Sequence, residues 1–220
     1  VHLSHHNPPD LERILASWAA RPARDLDVVS GAARSERAPR RRLVLGGARS
    51  GKSREAERHL ADRASVTYVA TGGARPDDPE WQQRIQLHQS RRPSGWTTIE
   101  TCDVAEVLRA TQTADAVLVD CLSLWLAARL DSAGVWVCEP GSPEHAAALD
   151  AVTADIDALV ESVSACVGEV VLVSNEVGSG VVPEHRSGRL YRDLLGMLNA
   201  RVAARCHDVD LVVAGRVVRL

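Results

Sequence analysis

Residues 43–53 read Leu43-Val44-Leu45-Gly46-Gly47-Ala48-Arg49-Ser50-Gly51-Lys52-Ser53. The three apolar residues predict a short buried strand, and the octet that follows fits the phosphate-loop pattern G-x-x-x-x-G-K-[ST]. Glycines in such a loop let backbone N–H groups face phosphate oxygens, and a helix that begins at its end adds a positive dipole. The order of strand, glycine loop and helix therefore predicts a site for a nucleoside triphosphate.

Lys52 is the one lysine of the chain, among 26 lysine and arginine residues in total. A compact ammonium on a flexible stem can slide between phosphate oxygens, where the broad planar fork of arginine substitutes poorly. We therefore expect Lys52 to reach the β- and γ-phosphates, and Ser53 to place its hydroxyl on Mg²⁺.

Beyond the phosphate loop, short apolar runs alternate with segments of helical pattern. This alternation predicts an α/β domain with a mostly parallel sheet that is covered by helices on both faces. A loop with two glycines and two prolines is expected at 131–143. The patterns predict strands at 43–45, 66–70, 116–120, 169–174 and 210–214, and helices at 53–63, 79–91, 122–130, 144–167 and 191–204.

Composition excludes several classes of protein. Apolar residues make up 45% and charged residues 25%, which is ordinary for a globular domain, and the formal charge of −3 gives no reason to expect nucleic-acid binding. No apolar run approaches the roughly 20 residues that cross a bilayer, and no secretory signal is visible. Five widely spaced cysteines without a C-x-x-C pair favour free thiols in a reducing cytoplasm over a metal site or disulfides.

Residues 1–41 are expected to form a flexible extension outside the domain at 42–220. They contain four prolines and lead into the basic run Arg40-Arg41-Arg42, with one short amphipathic helix predicted from Asp10 to Ala20. The basic run could contact RNA, but a solvated tail is the preferred interpretation.

Asp120 follows four apolar residues at the end of a predicted strand. In phosphate-loop enzymes a carboxylate at this place holds Mg²⁺, whereas an aspartate before a helix can also serve as its N-cap. The two roles are compatible, and we favour the metal-binding role.

His88 stands on a predicted helix within about one turn of Arg84, Arg91 and Arg92. Guanidinium groups pair well with phosphate oxygens, so this cluster suits a polyphosphate. A neutral imidazole can also attack an α-phosphorus and carry a nucleotidyl group. The residues alone leave open whether His88 is a nucleophile or a structural histidine.

The segment from Ser174 to Glu184 follows a predicted strand and contains Asn175-Glu176-Val177-Gly178. It should lie at the carboxyl edge of the sheet, where open α/β sheets bind ligands. Two acids, an amide and two glycines exceed what a simple turn requires, although turn chemistry alone remains the alternative.

These motifs, in this order, resemble the bifunctional adenosylcobinamide kinase / adenosylcobinamide-phosphate guanylyltransferase family of cobalamin assembly. The resemblance runs from about Arg42 to Leu220. The segments that carry it are Gly46–Arg54, Tyr68–Thr71, Arg84-Ile85 with His88 and Arg92-Pro93, Trp96 with Glu100, Val119–Trp125, and Asn175–Gly178 through Val182-Pro183-Glu184.

The resemblance implies a RecA-like phosphate-loop fold and two reactions. A nucleoside triphosphate (ATP or GTP) phosphorylates adenosylcobinamide, and GTP then guanylylates a histidine that passes GMP to adenosylcobinamide phosphate. His88 is the only histidine in the segments that carry the resemblance, so the resemblance assigns it the nucleophile's role. A homo-oligomer is also implied, often a trimer. The residues expected to contact the nucleotide or its metal are Gly46, Gly47, Ala48, Arg49, Ser50, Gly51, Lys52, Ser53, Thr71, Gly72, Gln89, Ser90, Arg91, Arg92, Glu100 and Asp120.

Four departures from the family's pattern stand out in the sequence. The first 41 residues have no counterpart, and the stretch between Thr71 and Ile85 is slightly long. Gly72-Gly73 replaces a more polar pair, and the loop at 131–143 is expanded. Two other functions stay open: a simple phosphate-loop kinase for a small molecule, with His88 structural, and a non-catalytic protein switched by a nucleotide. Against the switch, the sequence lacks an N-K-x-D motif for reading guanine.

Overall fold

The computed structural model describes residues 40–73, 77–90 and 92–220. The extension expected at 1–41, with its predicted helix, lies outside the described residues except for its last two positions. Arg91 and the side chain of Arg84 also lie outside them. No helix in the described part of the chain is long and apolar enough to cross a membrane.

One seven-stranded sheet forms the centre of the domain. Its strand order is β3-β2-β4-β5-β1-β6-β7, and all neighbours are parallel except β6 and β7. The strands are β1 (Arg41–Gly46), β2 (Val66–Ala70), β3 (Trp96–Glu100), β4 (Ala116–Asp120), β5 (Glu169–Asn175), β6 (Asp208–Val213) and β7 (Arg216–Arg219).

Six helices of the described chain connect these strands. Parallel neighbours need such crossovers, because a tight turn cannot return the chain to the start of the next strand. The helices are α1 (Lys52–His59), α2 (Pro79–Ser90), α3 (Val104–Ala110), α4 (Leu122–Ser132), α5 (Pro143–Ala165) and α6 (Arg186–Ala203).

Aliphatic side chains cover both faces of the sheet. Along β1, Leu43 and Leu45 point into a large core under α4, α5 and α6, while Val44 points into a smaller core under α1. Alternation of this kind places successive residues on opposite faces, so a strand buried on both sides reads as a continuous apolar run. The predicted α/β class with a mostly parallel, helix-covered sheet is confirmed.

The structure differs from the elements predicted from the sequence in several places. Strand β3, helix α3 and strand β7 were not predicted, and α6 begins at Arg186 rather than near Tyr191. Helix α1 is shorter than predicted, since it ends at His59. The loop predicted at 131–143 is also shorter, because α4 continues to Ser132 and α5 begins at Pro143.

Candidate active site

The carboxyl ends of five parallel strands meet at one edge of the sheet. The phosphate loop follows β1 there, and Thr71 follows β2. Glu100, Asp120 and Asn175 are the last residues of β3, β4 and β5. Ligands of open α/β sheets bind at this edge, so the fold brings together the motifs that are far apart in the sequence.

The phosphate loop turns tightly between β1 and α1. The Ser50 N–H donates to the Gly47 carbonyl at 3.3 Å, and the Glu55 N–H donates to the Gly51 carbonyl at 3.0 Å as the first turn of α1. Gly51 has a φ of +99°, a conformation that residues with a Cβ rarely adopt. The loop therefore ends directly at a helix N-terminus, as an anion site requires.

Lys52 is only 6% exposed, and its ammonium donates to the Gly47 carbonyl at 3.2 Å. The amine thus lies over the loop rather than in solvent. Ser53 follows it on α1 and is partly buried. Both side chains therefore lie at the end of the phosphate loop, where the sequence predicts that the phosphates bind.

Two cavities flank Lys52. The first, called here the Trp81 cavity, has a volume of about 200 Å³, and the second, the Arg49 cavity, about 580 Å³. Lys52, Ser53 and His88 line both of them. The other residues of the Trp81 cavity are Tyr68, Ala70, Gly72, Gly73, Trp81, Ile85, Gln89, Arg92, Thr98, Glu100, Asp120, Cys121, Ser123, Leu124, Asn175 and Tyr191, and those of the Arg49 cavity are Arg49, Ser50, Gly51, Arg54, Glu80, Gln83 and Gly215.

His88 lies beside the carboxylate at the end of β4. Its Nδ1 is 3.6 Å from Asp120 Oδ2, slightly beyond hydrogen-bond distance, and the same oxygen accepts a hydrogen bond from the Tyr68 hydroxyl at 2.7 Å. Tyr68 is 2% exposed, so its phenol holds the carboxylate from the protein interior. The imidazole of His88, the carboxylate of Asp120 and the Lys52 end of the phosphate loop therefore all line the Trp81 cavity.

Arg92 packs its guanidinium on the ring of Tyr68, with 3.4 Å between the guanidinium carbon and the ring centroid. Its Nη1 donates to the Thr98 hydroxyl at 2.8 Å. Stacking and hydrogen bonding fix the orientation of the cation inside the Trp81 cavity. A fixed guanidinium suits a phosphate or a carbonyl oxygen of a ligand.

The other predicted site residues fall into three groups. Gly72, Gln89 and Glu100 line the Trp81 cavity, and Arg49, Ser50 and Gly51 line the Arg49 cavity. Thr71 lies below the surface, where its hydroxyl donates to the Cys121 carbonyl at 2.7 Å and accepts from the Cys121 N–H at 2.9 Å. The residues that line neither cavity are Gly46, Gly47, Ala48, Thr71 and Ser90.

Burial keeps two groups of the Trp81 cavity protonated. Burial, and then the charge of Asp120, raises the pKa of Tyr68 far above its usual value. Burial likewise raises the pKa of the Cys121 thiol, with Asp120 adding to the effect. At neutral pH the phenol therefore donates a hydrogen bond, and the thiol is not a nucleophile. All five cysteines are free in the structure, and two of them, Cys121 and Cys166, are buried.

The donor groups at the strand edge fit a magnesium ion. Asp120 and Ser53 supply oxygen atoms in the Trp81 cavity, beside the loop that would hold the phosphates. Asn175 Oδ1, from the same wall, is buried and has no hydrogen-bond partner among the described residues. Mg²⁺ prefers oxygen ligands and keeps several of its waters, so a site of few protein oxygens beside phosphates suits it.

Several cavity residues were not assigned to the site from the sequence. Tyr68 belongs to a segment that carries the family resemblance, but the sequence assigns it no contact with a ligand. Trp81 and Tyr191 lie on predicted helices, and the sequence assigns them no role in the site. In the segment from Ser174 to Glu184, Asn175 lines the cavity from the end of β5. Glu176 Oε1 accepts a hydrogen bond from the Gly178 N–H at 2.6 Å and stabilises a turn. The segment therefore contributes a residue to the cavity and also forms a turn, so each of the two interpretations of its sequence describes part of it.

Comparison with known proteins agrees with this arrangement. Among solved structures, an ATPase from the type III secretion system of pathogenic bacteria has a TM-score of 0.50 and 14% identity, covering 79% of this chain and 51% of that chain. This chain spans about half the length of that ATPase, and at such low identity the likeness shows the fold alone. It agrees with the predicted architecture, a mostly parallel sheet flanked by helices.

Curated proteins give a closer match. CobU of Salmonella typhimurium, named a bifunctional adenosylcobalamin biosynthesis protein, is 40% identical over 175 residues, which are 79% of this chain and 95% of the relative. The protein of that name from Escherichia coli is 38% identical over the same shares. CobP of Pseudomonas aeruginosa, also named a bifunctional adenosylcobalamin biosynthesis protein, is 41% identical over 178 residues, 80% of this chain and 94% of the relative.

The family model described as "Cobinamide kinase / cobinamide phosphate guanyltransferase" matches residues 42–220. The match covers the strands and helices described above and includes both cavities. With relatives about 40% identical over nearly their whole length, this chain belongs to the cobinamide kinase / cobinamide phosphate guanyltransferase family.

Proposed function

We propose that this chain performs both reactions for which its family is named, at the one site described above. In the first, the terminal phosphate of a nucleoside triphosphate passes to a hydroxyl of adenosylcobinamide. In the second, GMP passes from GTP to His88 and then to adenosylcobinamide phosphate. The observation that carries the proposal is the position of His88, which lines both cavities together with Lys52 and stands 3.6 Å from Asp120.

The guanylyl transfer consists of two displacements. Nε2 of His88 attacks the α-phosphorus of GTP, so that a nitrogen–phosphorus bond forms while the bond to pyrophosphate breaks. An oxygen of adenosylcobinamide phosphate then attacks the same phosphorus and displaces the imidazole. A histidyl intermediate of this kind splits one difficult step into two easier ones.

Asp120 supports the nucleophilic nitrogen of His88. Its carboxylate faces Nδ1, and a proton on Nδ1 leaves the lone pair of Nε2 free for attack. Tyr68 holds this carboxylate through a hydrogen bond to the same oxygen. Asp120 at the end of β4 and Tyr68 in the middle of β2 thus set the tautomer and the direction of the imidazole.

The kinase reaction needs positioning and charge neutralisation more than covalent chemistry. Lys52 and the loop amides would hold the phosphates, and Ser53 and Asp120 would hold Mg²⁺. A metal ion held there would supply positive charge to the phosphoryl group as it is transferred. ATP or GTP can serve as donor in this step, because the phosphate contacts do not depend on the base.

A homo-oligomer, with a trimer as the expected form, belongs to the proposal. Light scattering of the full chain measures it directly, and a monomer at working concentration would remove this part of the proposal while leaving the chemistry untouched.

The decisive experiment incubates the protein with Mg²⁺ and GTP labelled at the α-phosphate. A phosphoramidate on histidine is expected, and such an adduct is labile in acid and stable in alkali. His88→Ala should abolish the label and keep most of the kinase activity. His185→Ala, which changes an exposed histidine outside both cavities, serves as the matched control and should label normally.

The same experiment separates the rival functions. A simple phosphate-loop kinase would form ADP or GDP with its substrate and give no covalent label. A nucleotide-switched protein would bind GTP without corrinoid-dependent turnover. Acid-labile label that persists in His88→Ala would reject His88 as the acceptor.

A further inference from the structure

Trp81 is fixed in the wall of the Trp81 cavity. Its indole Nε1–H donates to the Gly73 carbonyl at 3.1 Å, and its backbone N–H donates to the Asp78 carboxylate at 3.0 Å. The residue lies in the first turn of α2 and is partly buried. The position of the ring is therefore set by the protein itself, before any ligand binds.

Gly72 lets this ring approach the backbone. A Cβ added at Gly72 would lie 2.5 Å from Cζ2 of Trp81 and 3.2 Å from Cδ1 of Leu124. Only glycine therefore allows the six-membered part of the indole to pack so closely on the turn after β2. Trp81 and Leu124 together form an apolar surface beside that turn, within the cavity.

Helix α2 presents Trp81 and His88 to the same cavity. Both line it together with Ile85, a spacing of four and then three residues that keeps all three on one helix face. Seven residues of helix rise by about 10 Å. A nucleotide with its α-phosphorus at His88 would extend over a comparable length to the far edge of its base.

Charge and size decide which end of the nucleotide lies against Trp81. The Arg49 cavity is lined by Arg49 and Arg54 against one carboxylate, Glu80. In the Trp81 cavity the carboxylates of Glu100 and Asp120 offset the one guanidinium, that of Arg92. Phosphates are therefore favoured towards the Arg49 cavity. The roughly 200 Å³ of the Trp81 cavity lie below the range of about 300–1,000 Å³ for a whole drug-sized ligand. It suits one flat ring system and is too small for a corrin macrocycle.

We propose that Trp81, seated on Gly72 beside Leu124, is the stacking surface for the guanine base of bound GTP. The proposal rests on the proposed function, which supplies GTP as the ligand and places its α-phosphorus at His88. Stacking of a base on an aromatic side chain tolerates any base, so Trp81 contributes affinity, and polar groups such as Glu100 would supply the choice of guanine.

The test compares three ligands on the full chain. They are the α,β-methylene analogue of GTP, which His88 cannot cleave, ribose 5-triphosphate, which lacks the base, and inorganic tripolyphosphate. Trp81→Ala should weaken binding of the GTP analogue by about tenfold or more and change binding of the other two by less than twofold. Trp81→Phe should recover most of the affinity, because its ring still stacks.

Trp136→Ala is the matched control, because Trp136 is 39% exposed and lines neither cavity. It should leave the affinity of the protein for all three ligands unchanged.

Three results would count against the proposal. Equal weakening of binding of the GTP analogue and of ribose 5-triphosphate in Trp81→Ala would overturn it, since Trp81 would then only hold α2 against the turn after β2. Loss in Trp81→Phe as large as in Trp81→Ala would overturn it too. So would a raised KM for the corrinoid with unchanged binding of the GTP analogue, which would make the corrinoid the ligand at Trp81.

This test is independent of the covalent chemistry. Weaker binding of the GTP analogue in Trp81→Ala would support the base site even if the wild-type protein formed no histidyl adduct. Conversely, normal labelling of His88 together with unchanged binding in Trp81→Ala would reject the base site and keep the proposed function.

Discussion

Lys52 is the residue on which both proposed reactions should depend most directly. It is the only lysine of the chain, it is 6% exposed, and its ammonium lies over the phosphate loop at 3.2 Å from the Gly47 carbonyl. A planar guanidinium does not fit into the space that a compact ammonium fills. The loop is thus shaped for one side chain rather than for any positive charge.

Lys52→Arg should therefore lower both the kinase rate and the rate of histidine labelling by about 100-fold or more, as expected when a preorganised charge donor is lost. Initial rates of the two steps, measured separately, check this. Arg109→Lys makes the reverse exchange on the exposed surface of α3 and should change neither rate. Wild-type rates in Lys52→Arg would contradict the role given to the ammonium.

Tyr68 provides a second test at the level of single residues. Its hydroxyl and the imidazole of His88 face the same oxygen of Asp120, so the phenol fixes the carboxylate that orients the imidazole. Tyr68→Phe should lower the rate of histidine labelling by about tenfold, as expected for a partner that acts through another residue, and leave GTP affinity unchanged. Single-turnover labelling at saturating GTP measures the rate, and equilibrium binding measures the affinity.

Tyr191→Phe is the control for that variant. It removes a phenol from the same cavity, but this hydroxyl donates to the Ser123 carbonyl at 2.8 Å. Labelling should stay within about twofold of wild type. If Tyr68→Phe lowered GTP affinity as much as the rate, the phenol would be a binding group and the orienting role would be rejected.

Individual motif residues were predictable where their neighbours in the sequence define them. The phosphate loop and Asp120 follow recognisable apolar strands, so their place at the sheet edge could be deduced from the chain alone. Tyr68 is different, because its partner Asp120 lies 52 residues away and the strand pattern predicts only that the ring is buried. Likewise, nothing in the residues near Trp81 indicates that Gly72 lies under its ring.

At the level of elements, strands that are buried on both faces were predicted and edge strands were not. β4 and β5 each contain a run of four buried apolar residues, 116–119 and 170–173. In β3 only Trp96 is buried, and all four residues of β7 are exposed. A strand that packs little of its surface carries no apolar run, so its pairing depends on a neighbouring strand that the local sequence does not reveal.

The phosphate-loop helix is tied to the sheet by a buried charge cluster. Asp210 on β6 is 1% exposed, and its Oδ2 contacts Nη1 of Arg42 at 2.6 Å and Nε2 of His59 at 3.0 Å. Burial alone would raise the pKa of Asp210, but hydrogen bonds from His59 and Arg42 outweigh it and lower the pKa below its usual value. The ionised form thus links α1 to both β1 and β6.

Asp210→Asn should destabilise the protein at pH 7 by about 2 kcal/mol, because a neutral amide replaces the buried carboxylate that Arg42 and His59 share. The loss is limited, since Arg42 keeps Asp208 and His59 keeps Glu55 as a partner. A lowered folded-state pKa means that the stabilisation is complete above the unfolded pKa near 3.8 and disappears as the pH falls through the folded value. The difference from wild type should therefore shrink below about pH 4. Urea unfolding, followed by circular dichroism between pH 3 and 7, measures it.

Asp157→Asn removes one partner of an exposed ion pair with Arg201 and is the comparison for that experiment. A surface pair of this kind contributes about 0–1 kcal/mol, so its loss should be small at every pH. A destabilisation by Asp210→Asn that did not depend on pH would mean that packing, rather than charge, holds α1 to the sheet.

For the whole molecule, the strand order explains how one site can serve two reactions. β1 lies between β5 and β6, and β4 lies between β2 and β5, so the phosphate loop and Asp120 come from strands separated by β5 alone. The ends of β2 and β3 extend the same edge beyond Asp120, where the Trp81 cavity lies. His88 stands at the boundary between this cavity and the Arg49 cavity.

This layout leads to a kinetic prediction. If pyrophosphate leaves through the Arg49 cavity while GMP stays on His88, the first displacement needs no corrinoid. Labelled pyrophosphate should then exchange into GTP in the presence of Mg²⁺ and the protein alone, and the exchange should disappear in His88→Ala. Initial rates of the complete transfer should follow ping-pong kinetics, because the acceptor enters after pyrophosphate has left. Exchange that requires the corrinoid, with intersecting rather than parallel reciprocal plots, would instead indicate direct transfer between two substrates bound at the same time, with His88 only positioning them.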